Sequence, residues 1–439
     1  MQFAFTTARH IALAAVLAGT AGLTMQSAVA KDKLVMAIPT FLTGGGAPAF
    51  GVPAKQGAEM MIEAINAGSL PAPYNTKGMA GAMIEPVIYD ESGGNTKQVA
   101  EYRNKVQKEN VDLFVGFVSS GTCQAMTPVA EELKVLTIFA VCGTPRVFEE
   151  LDTKPKYVFR TMGHAAVDGI ALARYVKAKF PDANGYTGIN QNYAWGQDSY
   201  RDYDLAMKAI LPNVKPSDSP QWPKLFAGQY GTEISALLLA KEDLVHSSLW
   251  GGDLEAFIFQ SAPRALFKKK KVMLTVAGTA VYRLNDKMPD GTILGARGPY
   301  GIFAENIDTP LNKWFIAEYK KRYNTGPTGP SYQYAQAVLA AKIGYDKAAK
   351  AAGKFPTTDQ VIDAMQGMEF DSMSTKVKFA LGNGHQAITE HMYGITKYDK
   401  AKGEVGLTDV VKFPAECVNP PADTNASEWI KAGMPGAKC

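Results

Sequence analysis

The segment VDLFVGFVSSGTCQAMTPVAEELKVLTIFAV, residues 111–141, decides the fold predicted for this chain. It holds an apolar run at 111–118, a helical pattern at 123–133 and a second apolar run at 135–141. Apolar runs of this length predict buried strands. A helix between two such strands is typical of a parallel sheet, because parallel neighbours need a crossover connection.

The same alternation extends in both directions along the chain. Towards the N-terminus the pattern predicts strands at 34–38 and 85–89 and helices at 54–66 and 96–109. Towards the C-terminus it predicts strands at 186–190, 244–250 and 272–276 and helices at 165–180, 197–210, 234–241 and 254–267. Two consecutive sets of such units predict an α/β protein with two doubly wound lobes.

Length and composition restrict the function classes. The chain has 439 residues, 46% of them apolar and 20% charged, which is typical of a globular protein of two or three domains. A formal net charge of +4 gives no support for nucleic-acid binding. Beyond residue 30 no apolar run reaches the length that a membrane span needs, so we expect no membrane insertion.

The first thirty residues have the pattern of a secretory signal peptide. Arg9 and His10 precede an apolar run at 11–23, and Ala28-Val29-Ala30 offers small residues at a cleavage site. The apolar run is too short for a membrane anchor, the alternative interpretation. We therefore expect a mature chain that starts at Lys31 and is exported to an oxidising compartment, where enzymes that depend on NAD or ATP are poor candidates.

Motifs for catalysis, metals or cofactors are weak in this sequence. His164, His246, His385 and His391 show no standard zinc spacing, and there is no G-x-S-x-G nucleophile motif. Residues 44–49 fit a dinucleotide-binding fingerprint, but prolines interrupt the helix that should follow. We expect no cofactor, no metal and no enzymatic activity.

Two strand-to-helix junctions remain as candidate binding elements, at 116–122 and 140–144. Both follow predicted parallel strands, and open α/β sheets bind ligands at the carboxyl ends of their strands. Small and hydroxyl-bearing residues at a helix N-terminus suit a carboxylate or another anion. Ordinary helix capping by Ser or Thr explains the same residues equally well from composition alone.

The four cysteines are an even number in a chain expected to be exported. We predict disulfides between Cys123 and Cys142 and between Cys417 and Cys439. Each would stabilise the fold by roughly 3 kcal/mol through loop closure. Free buried thiols are the alternative for the first pair.

Six segments in order resemble the type I periplasmic substrate-binding proteins of the branched-chain amino acid transporter class. They are FGVPAKQGAEMMIEAINAG (50–68), VDLFVGFVSSGTCQAMTPVAEELKV (111–135), YVFRT (157–161), NYAWGQD (192–198), EISALLLA (233–240) and SLWGGDLEAF (248–257). The resemblance covers nearly all of the expected mature chain.

The resemblance implies two doubly wound α/β lobes joined by three hinge crossovers, with a small-molecule ligand in the cleft between them. Lobe 1 would comprise 31–159 plus 300–365, and lobe 2 would comprise 160–299 plus 366–439. The crossovers would lie near Phe159, 297–301 and Met368. It further implies a monomeric periplasmic component of an ABC importer that docks transiently on an inner-membrane permease.

The family's ligand-binding positions can be carried onto this chain. The resemblance places the carboxylate-gripping serine at Ser120 or its neighbours, and an aromatic wall and a polar partner in the second lobe. The implied ligand-binding residues are Phe50, Ser119, Ser120, Thr122, Cys142, Gly143, Thr144, Trp195, Trp250, Asp253, Thr279 and Tyr332.

Two departures from the family pattern bear on the ligand. The loop at 277–280 lacks the acidic residue that holds the α-ammonium of amino acids in this family. The cleft would also be rich in aromatic side chains, including Tyr193, which favours a planar ligand. We therefore predict a small organic acid, with aromatic carboxylates as candidates. An amino acid or amide, with Asp253 as the ammonium partner, is the alternative, and a secreted hydrolase is a distant third.

Overall fold

A computed structural model describes residues 31–151 and 154–439. The predicted signal peptide, residues 1–30, lies outside the described residues. Within the described part of the chain, no helix is both long and apolar enough to cross a membrane.

The strands and helices alternate along most of the chain. The strands are β1 Lys33–Thr40, β2 Met83–Asp90, β3 Leu113–Gly116, β4 Leu136–Phe139, β5 Val158–Arg160, β6 Gly185–Ile189, β7 Lys215–Pro216, β8 Leu244–Ser247, β9 Lys271–Leu274, β10 Ile293–Gly295, β11 Glu369–Asp371, β12 Lys376–Leu381, β13 Gln386–Ile388, β14 His391–Asp399 and β15 Glu404–Phe413. The helices are α1 Val52–Ala67, α2 Asn95–Lys108, α3 Ser120–Leu133, α4 Ala165–Lys179, α5 Ala194–Ile210, α6 Gly231–Leu239, α7 Gly252–Ser261, α8 Leu266–Lys269, α9 Val281–Leu284, α10 Pro310–Tyr323, α11 Gly329–Ala352, α12 Thr358–Met365, α13 Ala415–Val418 and α14 Ala426–Lys431.

The strands form two sheets, one in each lobe. The first sheet has the order β11-β12-β13-β5-β4-β3-β1-β2, and the second has the order β15-β14-β10-β9-β8-β6-β7. Strands β1–β5 pair in parallel, as do β6–β10. The two-lobed α/β architecture predicted from the sequence is therefore confirmed.

Alternating side chains explain why helices cover both faces of the first sheet. Leu34, Met36 and Ile38 of β1 pack into one core with α1 and α11, whereas Ala37 packs into a second core with α2 and α3. Successive side chains of a strand point to opposite faces, so a strand that is apolar on both faces must be buried on both. The continuous apolar runs of the sequence have this cause.

The third crossover differs from the sequence-based expectation. Residues 366–439 were expected in lobe 2, but β11, β12 and β13 extend the first sheet, where Gln386 pairs with Arg160. The chain enters the second sheet only at His391, which begins β14. The crossovers thus lie between β5 and α4, after β10, and at residues 389–390. No helix lies between these three short strands, so the helix–strand alternation that located the other strands could not assign them to a sheet.

All four cysteines are paired as the sequence predicts. Disulfides join Cys123 to Cys142 and Cys417 to Cys439. The first links the N-terminal turn of α3 to the loop after β4, so it fixes two segments that border the space between the lobes.

Candidate functional site

A small cavity lies between the lobes, where the parallel strands of both sheets end. Its volume is about 20 Å³, room for roughly one water molecule. The side chains and backbone around it come from both lobes. The lining residues are Phe50, Val118, Ser120, Val141, Gly143, Tyr193, Trp195, Trp250, Val276 and Arg297.

Ser120 begins α3 and is held by the loop that follows β4. Its Oγ accepts hydrogen bonds from the backbone N–H groups of Gly143 and Thr144, both at 3.2 Å. Because the two N–H groups use the oxygen as acceptor, the hydroxyl hydrogen is left to donate elsewhere. Ser120 is buried and lines the cavity, so this hydrogen can serve a ligand acceptor.

Arg297 follows β10 and brings a guanidinium group to the cavity. Its Nε donates to Asp168 Oδ2 at 3.1 Å, Nη1 to the carbonyl of Val141 at 2.6 Å and Nη2 to the carbonyl of Gly163 at 3.3 Å. A guanidinium has five N–H donors, so two remain beyond these three bonds. Its central carbon lies 4.4 Å from the ring centroid of Trp195, a cation–π contact.

Four of the ten residues that line the cavity are aromatic. Trp195 Nε1 donates to the carbonyl of Ser248 at 2.9 Å, and Trp250 Nε1 donates to Tyr193 Oη at 2.8 Å. Phe50 meets Trp250 edge to face, with centroids 5.1 Å apart. The bonded indole nitrogens fix the planes of both tryptophans, so the parts of the rings that line the cavity form a rigid apolar surface suited to a planar ligand.

Gly143 is required where the arginine meets the tryptophan. A Cβ at this position would lie 2.3 Å from Arg297 Nη2 and 2.4 Å from a ring carbon of Trp195. Neither group can move without breaking its own hydrogen bonds. The absence of a side chain at 143 therefore allows both groups to reach the cavity.

Two interlobe contact regions close the molecule on either side of the cavity. The polar clasp consists of Thr144 and Arg146 of lobe 1 and Asp198 of lobe 2. The Thr144 hydroxyl donates to Asp198 Oδ2 at 2.6 Å, and Arg146 Nε and Nη2 donate to Oδ1 at 2.9 and 2.8 Å. Asp198 is fully buried, so these directional bonds hold one lobe against the other.

The aromatic cluster consists of Phe41 and Phe50 of lobe 1 and Phe226 and Trp250 of lobe 2. Trp250 is its centre, with ring centroids 5.6 Å from Phe41, 5.1 Å from Phe50 and 5.1 Å from Phe226. One backbone hydrogen bond lies beside it, from the N–H of residue 252 to the carbonyl of residue 45 at 2.8 Å. Apolar ring contacts thus predominate on this side.

Buried ionisable groups surround the cavity. Burial raises the pKa of Glu91 to about 7, although the backbone N–H groups of Val118 and Ser119 donate to its carboxyl group at 2.7 and 2.8 Å. Burial lowers the pKa of Arg160 to about 9, with a further contribution from the positive charge of Arg297. Burial also raises the pKa of Glu149 to about 8.

Five of the twelve residues expected at the ligand meet at this cavity. They are Phe50, Ser120, Gly143, Trp195 and Trp250. Their contact with a ligand stays a prediction, but the structure brings together residues that are up to 200 positions apart in the sequence.

Four expected residues near Ser120 have other partners and do not line the cavity. Ser119 caps α3 through its side chain, and Thr122 donates to Asn95 Oδ1 at 3.5 Å. Cys142 is in a disulfide, and Thr144 belongs to the polar clasp. The hydroxyls of Ser119, Thr122 and Thr144 therefore have partners within the protein.

The remaining three expected residues are also engaged elsewhere. Asp253 accepts hydrogen bonds from Gln191 Nε2 and from the backbone N–H groups of residues 226 and 228. Thr279 donates to the carbonyl of residue 276, and Tyr332 donates to Asn312 Oδ1 in the core of lobe 1. These three side chains form hydrogen bonds within their own lobes and do not line the cavity.

Arg297 is the polar residue that sequence reasoning missed as a ligand contact. The sequence placed it in a hinge crossover, and the resemblance drew attention to a lost acid in the neighbouring loop. Its position could have identified it as a candidate. It follows the apolar run of β10 and lies among Gly295, Gly298 and Gly301. Val118, Val141 and Val276 were missed because single valines near strand ends carry no distinguishing pattern.

Comparison with known proteins gives one family and many similar folds. A family model described as Periplasmic binding protein matches residues 34–403. A leucine-, isoleucine-, valine-, threonine- and alanine-binding protein of Pseudomonas aeruginosa is 30% identical over 154 residues, which is 35% of this chain and 38% of that relative. The match thus spans well under two thirds of the relative.

Solved structures with the same fold come from several bacteria. An ABC-transporter solute binding protein of Rhodopseudomonas palustris BisB5, in complex with 3,4-dihydroxy benzoic acid, has a TM-score of 0.73 at 18% identity and covers 88% of this chain and 98% of its own. A second R. palustris solute binding protein, in complex with benzoate, has a TM-score of 0.70 at 18% identity over 87% and 96% of the two chains. A leucine binding protein of Thermotoga maritima has a TM-score of 0.69 at 18% identity over 86% and 98%.

Proposed function

The chain belongs to the periplasmic binding protein family, and from that premise we propose that it captures a small organic acid for an ABC importer. The ligand is an aromatic carboxylate, bound in the cleft between the lobes. The observation that carries this proposal is a cavity lined by two polar donors, Ser120 and Arg297, together with four aromatic side chains and three valines.

The two donors suit a carboxylate. The Ser120 hydroxyl is free to donate because its oxygen already accepts two backbone N–H groups. Arg297 has two N–H donors beyond its three protein bonds, and charge-assisted bonds from arginine to a carboxylate are among the stronger hydrogen bonds in proteins. A carboxylate placed between them would accept from lobe 1 through Ser120 and from the crossover after β10 through Arg297.

The charges near the cavity also favour an anion. Arg160 and Arg297 are both buried, and Asp168 pairs with Arg297. With a pKa of about 8, Glu149 is mainly uncharged at pH 7. Arg160 and Arg297 thus outnumber the charged Asp168, and Glu91, with a pKa of about 7, offsets only part of this positive excess at pH 7. A monovalent organic acid would balance the remainder. Buried charges are stable only when they are paired.

An amino acid fits this cavity less well. None of the described residues that line it is Asp or Glu, so an α-ammonium group would have no carboxylate partner. Asp253, the candidate partner, accepts three hydrogen bonds from its own lobe. The names of similar proteins point both ways, because some hold benzoate-type acids and the curated relative is named for amino acids. The lining chemistry is what favours the organic acid.

Ligand binding requires movement of the lobes. A cavity of about 20 Å³ is too small for a benzene ring with a carboxylate, so the lobes must separate for access and close around the ligand. Hinge closure of this kind uses a few residues in the crossovers. Closure would then present one compact surface to an inner-membrane permease.

The remaining parts of the proposal follow from the family. We infer a periplasmic location, transient docking on the permease and a monomeric binding protein without catalytic activity. The cavity supports the last point, since no histidine or acid of the described chain lines it next to Ser120. A serine nucleophile would need such a base.

A thermal-shift screen of the mature chain tests the proposal. Benzoate, 4-hydroxybenzoate and 3,4-dihydroxybenzoate are compared with leucine, valine and alanine, each at increasing concentration. Ligand that binds only the folded state at 100 times its Kd stabilises it by about 2.7 kcal/mol. We expect the aromatic acids to raise Tm. Stabilisation by the amino acids, with none by the aromatic acids, would contradict the proposal and favour the amino acid alternative.

A further inference from the structure

Arg297 is held by all three connections between the lobes. Its own segment is the crossover after β10. Nη2 donates to the carbonyl of Gly163 in the first crossover, and Nε donates to Asp168 in the first turn of α4. Asp168 in turn accepts from His391, the residue that follows the third crossover.

The Asp168 carboxylate bridges two of these connections. Oδ2 accepts from Arg297 Nε at 3.1 Å, and Oδ1 accepts from His391 Nε2 at 2.8 Å. The Tyr393 hydroxyl donates to the backbone carbonyl of Asp168 at 3.1 Å, and its ring stacks on the His391 imidazole with centroids 4.9 Å apart. Asp168, His391 and Tyr393 are each at most 2% exposed, so solvent does not compete for these bonds.

The backbone at Arg297 shows that the side chain is held in place against a local preference. Its φ is +58°, a left-handed conformation that non-glycine residues seldom adopt. Such a conformation persists only where the surroundings fix it. The fixing contacts are the three hydrogen bonds of the guanidinium and its packing against Trp195.

We propose that Asp168 and His391 are positioning residues, which aim the Arg297 guanidinium at the carboxylate of the ligand without touching the ligand. The inference rests on the proposed function, because it concerns how the cleft recognises an organic acid. Carboxylate recognition is then set by a hydrogen-bonded chain that joins the crossovers.

The direction of the change in anion affinity distinguishes a positioning role of Asp168 from the effect of its charge alone. Asp168→Asn removes a negative charge beside Arg297, so on charge alone it should tighten the binding of an anion. Loss of positioning should weaken it. Positioning also predicts a selective effect, because a neutral ligand of the same shape makes little use of the guanidinium charge.

The test compares benzoate with benzamide by titration calorimetry on the mature chain and its variants. We expect Asp168→Asn to weaken benzoate binding about 10-fold and to leave benzamide binding within about 2-fold. His391→Asn should weaken benzoate binding less, by about 3-fold, because asparagine can still donate to Asp168. Asp346→Asn is the matched control: its carboxylate pairs with the buried Lys342 in lobe 1, far from the crossovers in sequence, and should change neither affinity.

The outcomes are distinguishable. Tighter benzoate binding in Asp168→Asn, or equal losses for benzoate and benzamide, would overturn the positioning role. If Asp168→Asn does not fold, the test rests on His391→Asn. Unchanged benzoate affinity in that variant would overturn the positioning role. Absence of benzoate binding in the unmodified chain would instead contradict the proposed function.

Discussion

The polar clasp and the aromatic cluster close the same cleft by different physical means. The clasp uses hydrogen bonds and an ion pair from Thr144 and Arg146 to the fully buried Asp198. The cluster uses ring contacts centred on Trp250. Phe50 and Trp250 of the cluster also line the cavity, whereas the three residues of the clasp do not. The polar clasp can therefore fix the relative orientation of the lobes. The aromatic cluster supplies apolar surface that can contact both the opposite lobe and the ligand.

Closure by these two means can be both specific and reversible. Hydrogen bonds to a buried carboxylate have a strict geometry and lose most of their value when they are stretched. Ring contacts tolerate small displacements, and their contribution grows with the apolar area that is buried. We therefore expect changes on the aromatic side to affect ligand affinity most, and changes on the polar side to affect the closed geometry.

The largest effect is expected from Trp250→Ala. The substitution removes a cavity wall and the centre of three ring contacts, so benzoate affinity should fall about 100-fold, or about 2.7 kcal/mol. Trp222→Ala is the control, since that ring pairs with Tyr200 and does not line the cavity. Titration calorimetry measures both. An equal loss in the control would mean that general destabilisation, not the wall, explains the result.

Asp198→Ala tests the polar clasp. It leaves Thr144 and Arg146 without their interlobe acceptor, so benzoate affinity should fall about 30-fold, or about 2 kcal/mol, since bonds to a buried charged group are worth that order. Small-angle scattering should show a larger radius of gyration as the lobes open. Asp204→Ala on the same helix removes the carboxylate that accepts hydrogen bonds from Tyr186 and Lys208 inside lobe 2, and it should leave affinity unchanged. A clasp variant that keeps full affinity would refute the role of the clasp.

The stability of the fold should depend on pH through a glutamate beside the polar clasp. Burial raises the pKa of Glu149, beside the clasp, to about 8, and the backbone N–H of Ala426 in lobe 2 donates to it. The folded state therefore keeps a proton that the unfolded state loses near pH 4.5, and stability falls as pH rises through 8. Glu91 and Asp202, each with a pKa raised by burial to about 7, act in the same direction.

Glu149→Gln should remove part of this pH dependence. Between pH 6.5 and 8.5 the free energy of unfolding should fall by on the order of 1 kcal/mol less in the variant than in the unmodified chain. Burial lowers the pKa of His164 and keeps it neutral in the folded state, and its contribution is the same in both proteins, so it cancels from the comparison. Urea unfolding at several pH values measures the slope. Identical slopes in the two proteins would show that Glu149 is not the group responsible.

The smallest effect is expected from Arg146→Ala. Its side chain is about one-third exposed (33%), and an ion pair in contact with solvent contributes little. Benzoate affinity should fall about 3-fold or less, and the difference between variant and unmodified chain should shrink as salt is raised from 0.05 to about 0.5 M. A loss as large as that of Asp198→Ala would mean that Arg146, not the aspartate, organises the clasp.

The sequence predicted the fold well because the fold depends on local patterns. The apolar runs around 113–116 and 136–139, with a helical pattern between them, indicate buried strands. Two strands joined by a helical crossover are expected to lie in parallel in one sheet. The third crossover was misplaced because β11–β13 are short and join the first sheet by a few pairings that no local pattern announces.

The candidate site was only partly predictable for a related reason. Ser120, Gly143 and Trp195 stand at strand or helix ends that the sequence marks clearly. Thr144 was expected at the ligand, yet its hydroxyl binds Asp198 from the other lobe, a contact between residues 54 positions apart. Arg297 depends on Asp168 and on carbonyls of two other segments. Such long-range hydrogen bonds decide which side chains face a cleft, and they appear only when the lobes are assembled.

A crystal structure of the mature chain with benzoate tests the central claim most directly. We expect closed lobes, with the ring against Trp195 and Trp250 and the carboxylate oxygens at about 2.7–3.2 Å from Ser120 Oγ and from an Arg297 Nη atom. A carboxylate that binds elsewhere, with both Arg297 Nη atoms beyond hydrogen-bond distance, would contradict the account.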